Sequence, residues 1–233
     1  MIETSIHHGV FEWHDIWQHL SPQSLYQLHL GYRGNFEKKH SSGDPNALEM
    51  AKKVEAIQSI LCTYPPPQGL WRQCPCHVED NTLHIHLPHA QPICLTFPRQ
   101  DRPPYRCLTD FVTPEHAHIT MMVVTSGAYP IDLIHSYVAS RRYQEALIVH
   151  ALYVQSAEAT AEHLHAILQK NYQGKRYSFG YGACPDLGQQ VCLFEILQPS
   201  TIGISLTSSH MMNPEGCVSA LIFSNPDAYY FVH

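Results

Sequence analysis

RYSFGYGACPD, residues 176–186, sets an arginine, two glycines, a cysteine, a proline and an aspartate within eleven positions. Glycines one residue apart suggest a phosphate loop. No GxGxxG follows, however, and the run meets Pro185 instead of opening a helix. Gly180 and Gly182 allow backbone torsions closed to other residues and permit a ligand to come close. Arg176, four residues upstream, carries a guanidinium that can clasp a carboxylate through two parallel hydrogen bonds. Tyr181 adds an aromatic wall with a polar tip. Two readings stand: a site for a ligand with a carboxylate and a flat ring, such as an amino-acid-like nucleoside, or a structural turn whose arginine pairs with a surface aspartate.

Upstream, IDLIHSYVASRRYQEALIVHALYVQSAEATAEHLHAILQKNY (131–172) reads as helical, in one piece or two. HITMMVVTSG before it contains the longest apolar run, ITMMVVT (119–125), which is strand length. CLTDFVTP and PICLTFPRQ continue the β character of residues 70–125. NTLHIHLP alternates, with Leu83, Ile85 and Leu87 on one face and His84 and His86 on the other. ALEMAKKVEAIQSILC (47–62) is an amphipathic helix with Leu48, Ala51, Val54, Ile57 and Leu61 on its apolar face. Asp44 or Asn46 leads into it, and the prolines after Tyr64 end it. Ser21-Pro22 is placed to cap a further helix near the N-terminus. Downstream, short strands and helices return in CLFEILQ, IGISLTSS and CVSALIFS. The mixed order argues for an α+β fold.

The 233 residues are 44% hydrophobic and 15% charged, which supplies a core. A formal net charge of -6 argues against nucleic acid as partner. No apolar run approaches the roughly 18 residues of a membrane span. The N-terminus has neither the basic nor the apolar region of a secretory signal, so the eight cysteines are expected to be reduced thiols of a cytoplasmic protein. Cys74, Cys76 and His77, followed by His84 and His86, have metal-ligand chemistry, though CxC and HxH are not the common CxxC pair. The two histidines either chelate or face solvent. No G-x-S-x-G, H-E-x-x-H, P-loop or Rossmann fingerprint is present, so no catalytic constellation is expected.

RYSFGYGACPD resembles the RxxxGYxACP signature of the activation (reactivation) domain of cobalamin-dependent methionine synthase. CLTDFV (107–112), AEATAEHLH (157–165), LFEIL (193–197) and IGISLTSSHMMNPEGCVSALIFSNPDAYYF (202–231) are similar to further segments of that family, in the same order. The resemblance is dense from about 105 to 231 and thin before; residues 1–46 match weakly. It implies a single α+β domain over 1–233, a twisted antiparallel sheet flanked by helices. It also implies that S-adenosylmethionine is the ligand. Arg176 would contact its methionyl portion, Gly180 and Tyr181 would form the adjacent turn, Tyr230 and Phe231 would line the same ligand, and Glu158 would face the cleft. The family pattern departs at Ser208, where an acid is usual, at GCVSA (216–220), and near Ser21, where the family has an aspartate.

In that family the domain presents the methyl donor for reductive methylation of cob(II)alamin, with an electron from a flavodoxin-type reductant. Positioning is its task. The resemblance thus implies a reactivation component acting in trans on a corrinoid-binding methionine synthase module, with cobalamin met only through that partner. The alternatives are a stand-alone S-adenosylmethionine-binding or sensory module, or a degenerate relative that no longer binds the ligand.

Overall fold

The computed structural model describes residues 5–170 and 173–232. The outermost positions of the expected 1–233 domain, and Asn171 and Tyr172 at the end of the helical stretch, lie outside these. The chain orders its elements as β1 (His7–Val10), α1 (Trp13–Trp17), a π-helical turn (Gln23–His29), α2 (Phe36–Ser41), α3 (Pro45–Leu61), β2 (Gln68–Glu79), β3 (Thr82–Ile85), β4 (Ile93–Thr96), β5 (His118–Thr125), α4 (Ile131–Ala139), α5 (Tyr143–Leu168), β6 (Lys175–Ser178), α6 (Gln190–Leu197), β7 (Ser205–Leu206), β8 (Met212–Asn213) and β9 (Cys217–Phe223).

Among the described residues, seven strands form one antiparallel sheet in the order β4-β3-β2-β5-β9-β6, with β1 also on β2. β5 is central, and its apolar run serves both faces. Ile119, Met121 and Val123 join the core beneath α6, while Met122 and Val124 meet α5. A strand buried on both sides loses polar alternation, which is why 119–125 reads as continuous hydrophobe. β9 does the same beside it, with Leu221 and Phe223 on one face and Ala220 and Ile222 on the other.

α5 is shared between two cores. Ile148, Val149 and Leu152 pack on Val54, Ile57 and Leu61 of α3, while Ala157, Ala161 and Leu164 lie against the sheet. A helix buried in this way has no single apolar stripe. The break before it is real: α4 ends at Ser140 and Arg141 takes a positive φ of 59°. The Arg142 N–H donates to Tyr137 O (2.8 Å) and the Arg141 N–H to Val138 O (3.0 Å), a Schellman ending built without glycine.

Asp44, not Asn46, caps α3, accepting from the Ala47 N–H at 3.0 Å. Ala47 is buried where Leu48 was expected; Leu48 is exposed. Ser21 accepts from the Ser24 N–H (3.2 Å), but the helix it caps is π-helical. CLTDFV is not a strand. Leu108–Phe111 is a 3₁₀ turn, closed by Asp110 accepting from the Cys107 N–H at 3.0 Å. None of the eight cysteines is in a disulfide. Among the described residues no helix is long and apolar enough to cross a membrane.

Candidate functional site

β6 is an edge strand, and its alternation divides its side chains. Tyr177 enters the core under α6, and Arg176, opposite Ile222 of β9, points to the α5 face. Glu158 and Glu162 sit one turn apart on α5 and meet it there. Arg176 Nη2 donates to Glu162 Oε1 at 2.6 Å and to Glu158 Oε2 at 3.2 Å. The Arg176 side chain is only 8% exposed, whereas those of Glu158 and Glu162 are about half exposed. Its Nε and Nη1 are buried and have no hydrogen-bond partner among the described residues. Burial works against the charge, but Glu158 and Glu162 outweigh it and hold the guanidinium pKa above its ordinary value.

Arg176 stands in the wall of a cleft of about 580 Å³. Glu158, Tyr181, Gly182, Ala183, Tyr230 and Phe231 line it with Arg176. A smaller cleft of about 270 Å³ adjoins it, sharing Glu158, Ser178 and Tyr181. The aromatic wall is held from behind. Tyr177 Oη donates to Tyr229 O at 2.8 Å, and Gln100 Nε2 donates to Val232 O at 2.7 Å. Tyr230 packs edge-on against Tyr177 at 5.5 Å between ring centres and is 64% exposed. Burial raises the Tyr230 phenol pKa, with Arg176 opposing.

The turn around Gly180 and Gly182 closes on itself: the Gly180 N–H donates to Cys184 O (2.8 Å) and the Cys184 N–H to Tyr181 O (2.9 Å). Gly180 has φ +84° and Gly182 φ +47°. Their roles differ. Gly180 does not line the cleft; a Cβ there would meet Leu187, so its glycine serves the torsion. Gly182 does line it, and a Cβ there would come within 3.3 Å of Phe231 O. The run does open a helix after all. Asp186 accepts from the Gly188 N–H at 2.9 Å and caps a 3₁₀ turn that runs into α6.

Glu158, Arg176, Tyr181, Tyr230 and Phe231 therefore come together around one cleft, with Gly180 supporting its turn. The arginine pairs with helix carboxylates and not with a surface aspartate. Glu162 was missed; its signal was the i, i+4 spacing from Glu158 in AEATAE. Ser21 is engaged with its own backbone turn, and Ser208 is exposed between β7 and β8. Cys74, Cys76, His84 and His86 do not converge. Both thiols point into the core, where burial raises their pKa values, that of Cys76 to about 12, while the histidines occupy the opposite face.

A sequence model of the family described as "Vitamin B12 dependent methionine synthase, activation domain" matches residues 76–171 and 166–233. The chain belongs to this family. Methionine synthase of Mycobacterium leprae (strain TN) is 30% identical over 194 residues, covering 67% of this chain and 16% of that protein. Methionine synthase of Mycobacterium tuberculosis (strain ATCC 25618 / H37Rv) is 30% identical over 167 residues, covering 58% and 14%. The chain thus spans about a sixth of the length of these curated relatives. The crystal structure of the MetH reactivation domain bound to AdoHcy superposes with a TM-score of 0.86 at 22% identity, covering 99% of this chain and 81% of that one. The activation-domain fold, an antiparallel sheet flanked by helices, is thereby shared over nearly the whole chain.

Proposed function

We propose that the cleft binds S-adenosylmethionine and presents its methyl group to a corrinoid-binding methionine synthase module. The observation that carries this reading is Arg176, which lines the cleft and whose Nε and Nη1 are buried without a partner among the described residues. An unsatisfied buried donor costs about 1–3 kcal/mol, and more when charged. A carboxylate arriving in the cleft relieves that cost with charge-assisted bonds. The structurally similar domain is bound to AdoHcy, from which S-adenosylmethionine differs by a methyl on sulfur.

In this reading Arg176 takes the methionyl carboxylate. Glu158, already on Arg176 and half exposed, faces the ligand's ammonium. Tyr181, Tyr230 and Phe231 supply apolar walls for the flat base, and Gly182 keeps the turn low enough to admit it. Bound S-adenosylmethionine supplies the methyl group that returns an oxidised corrinoid on the partner module to its methylated form, with one electron from a flavodoxin-type reductant. The chain's own contribution is orientation and exclusion of water at the cleft, which requires no acid or base.

The test is isothermal titration of the reduced protein with S-adenosylmethionine, Arg176→Ala alongside. Saturable binding that the variant loses supports the assignment. Equal affinity in a folded variant removes Arg176 from the site. The partner claim is tested separately, by supplying a purified cobalamin-bearing methionine synthase module and reduced flavodoxin in trans and following methyl transfer from labelled S-adenosylmethionine. Binding without transfer rejects the partner and keeps the ligand.

A further inference from the structure

A second polar cluster occupies the other end of the sheet. β2 and β3 pair so that His77 lies directly opposite His84 and Glu79 opposite Thr82. Alternation places His77, Glu79, His84 and His86 on one face, while Cys76, Leu83 and Ile85 fill the core from the other. Glu79 stands between two imidazoles, its Oε1 3.6 Å from His77 Nε2 and its Oε2 3.7 Å from His84 Nε2. One ligand atom from each of the three residues falls within 4.8 Å of the others.

The opposite ring nitrogens are also engaged. His77 Nδ1 lies 2.7 Å from His86 Nε2, and His84 Nδ1 lies 3.4 Å from Cys94 Sγ. The rings stack, His77 at 4.7 Å from His84 and 4.8 Å from His86. Each inner histidine thus turns Nε2 toward the carboxylate while a neighbour holds Nδ1. Metal-binding histidines are oriented in this way, through a hydrogen bond from the nitrogen that does not ligate.

We propose that His77 Nε2, His84 Nε2 and the Glu79 carboxylate form a site for one dication of the Zn²⁺ class, with His86 and Cys94 orienting the two imidazoles. Two imidazoles and a carboxylate suit such an ion, leaving a fourth position for water or a partner's side chain. Donors on a tetrahedral ion with bonds of about 2.0–2.1 Å stand roughly 3.4 Å apart. The three ligand side chains need move only by about an ångström to reach that spacing, and none is fully buried. The ion joins β2 to β3, so its binding stabilises the hairpin that carries β4 at the sheet edge. The site uses no residue of the S-adenosylmethionine cleft and stands whether or not that cleft binds its ligand.

The experiment is titration of the chelator-treated, reduced full chain with Zn²⁺ alone, by calorimetry and by thermal shift. One equivalent bound, with a raised melting temperature, is the expected result. His84→Ala and Glu79→Gln are expected to weaken binding at least tenfold, and Cys94→Ala by about tenfold through the orientation of His84. His19→Ala, a histidine outside the cluster, should leave the isotherm unchanged. All these positions are at least partly exposed, and circular dichroism confirms that the variants fold. No saturable Zn²⁺ binding, or binding that survives His84→Ala and Glu79→Gln, overturns the proposal. Loss in His19→Ala alone overturns it too, by placing the ion elsewhere.

Discussion

The cleft and the histidine cluster both lie on the α5 side of the same sheet, one at the β6 edge and the other near the β4 edge. They treat charge in opposite ways. Around Arg176 a cation is buried against two half-exposed carboxylates, and two of its donors have no partner among the described residues. Around His77 the polar groups are more exposed and engage one another. α5 makes the difference: it covers the sheet beside β6 and brings Glu158 and Glu162 onto Arg176, whereas the β2–β3 face carrying the histidines is open to solvent. Burial takes from a donor the water that would satisfy it, whereas solvent still reaches the groups on the histidine face.

Removing the buried cation is the most direct way to break this contrast. Arg176→Ala should weaken S-adenosylmethionine binding by about 2–3 kcal/mol, the scale of a charge-assisted bond with its partner left unpaired. Titration of the folded variant measures it, and Zn²⁺ binding at the other edge should not change. Next comes the turn that shapes the cleft. Gly180→Val forces a β-branched residue to φ +84°, and should lower stability by about 2 kcal/mol in urea unfolding. A variant that unfolds at the parent's midpoint would show that the torsion does not matter.

Glu162→Gln sharpens the contrast by withdrawing one carboxylate from a buried cation. We expect a loss of about 1 kcal/mol by the same measurement, smaller because Glu158 remains. The smallest effect is in pH. His165, buried on α5 near Arg176, has its imidazole pKa pushed below the ordinary 6.5, chiefly by burial. The unfolded chain therefore binds more protons than the native one just below that value. This contribution is intact above about pH 6.5 and is lost as pH falls toward the depressed folded value. The melting temperature should drop between pH 7 and pH 5, and the slope should be shallower in His165→Met. An equal slope in that variant would assign the acid sensitivity to other groups, such as His163, whose pKa burial also lowers.

Much of the architecture was legible because period and burial agree. The alternation of NTLHIHLP set β3 with Leu83 and Ile85 inward, and the run at 119–125 marked a strand, which the sheet order makes central. Reading stayed open or failed where local signals were missing or shared. One helix or two stayed open over 131–172 because Arg141 ends α4 in a left-handed torsion without the usual glycine. CLTDFV has strand composition, yet Asp110 turns back to cap its own backbone. Cys74, Cys76 and His77 all had the residue type for a metal, but the pleat of β2 sends the two thiols into the core and sets Glu79 beside His77 on the other face.

Residue identity alone determined the chemistry available: an arginine before a glycine turn, an acidic pair one helical turn apart, an aromatic pair near the C-terminal end, and histidines at alternate positions. Those properties belong to side chains and to local periodicity, and both are written in the order of residues. Tertiary structure alone decided which of them meet. Glu162 lies fourteen residues from Arg176 and Tyr230 more than fifty, and no local rule joins them. The pairing of β6 with β9 and the packing of α5 on the sheet bring these groups to one cleft and bury the guanidinium. That burial leaves two of its donors without a partner among the described residues.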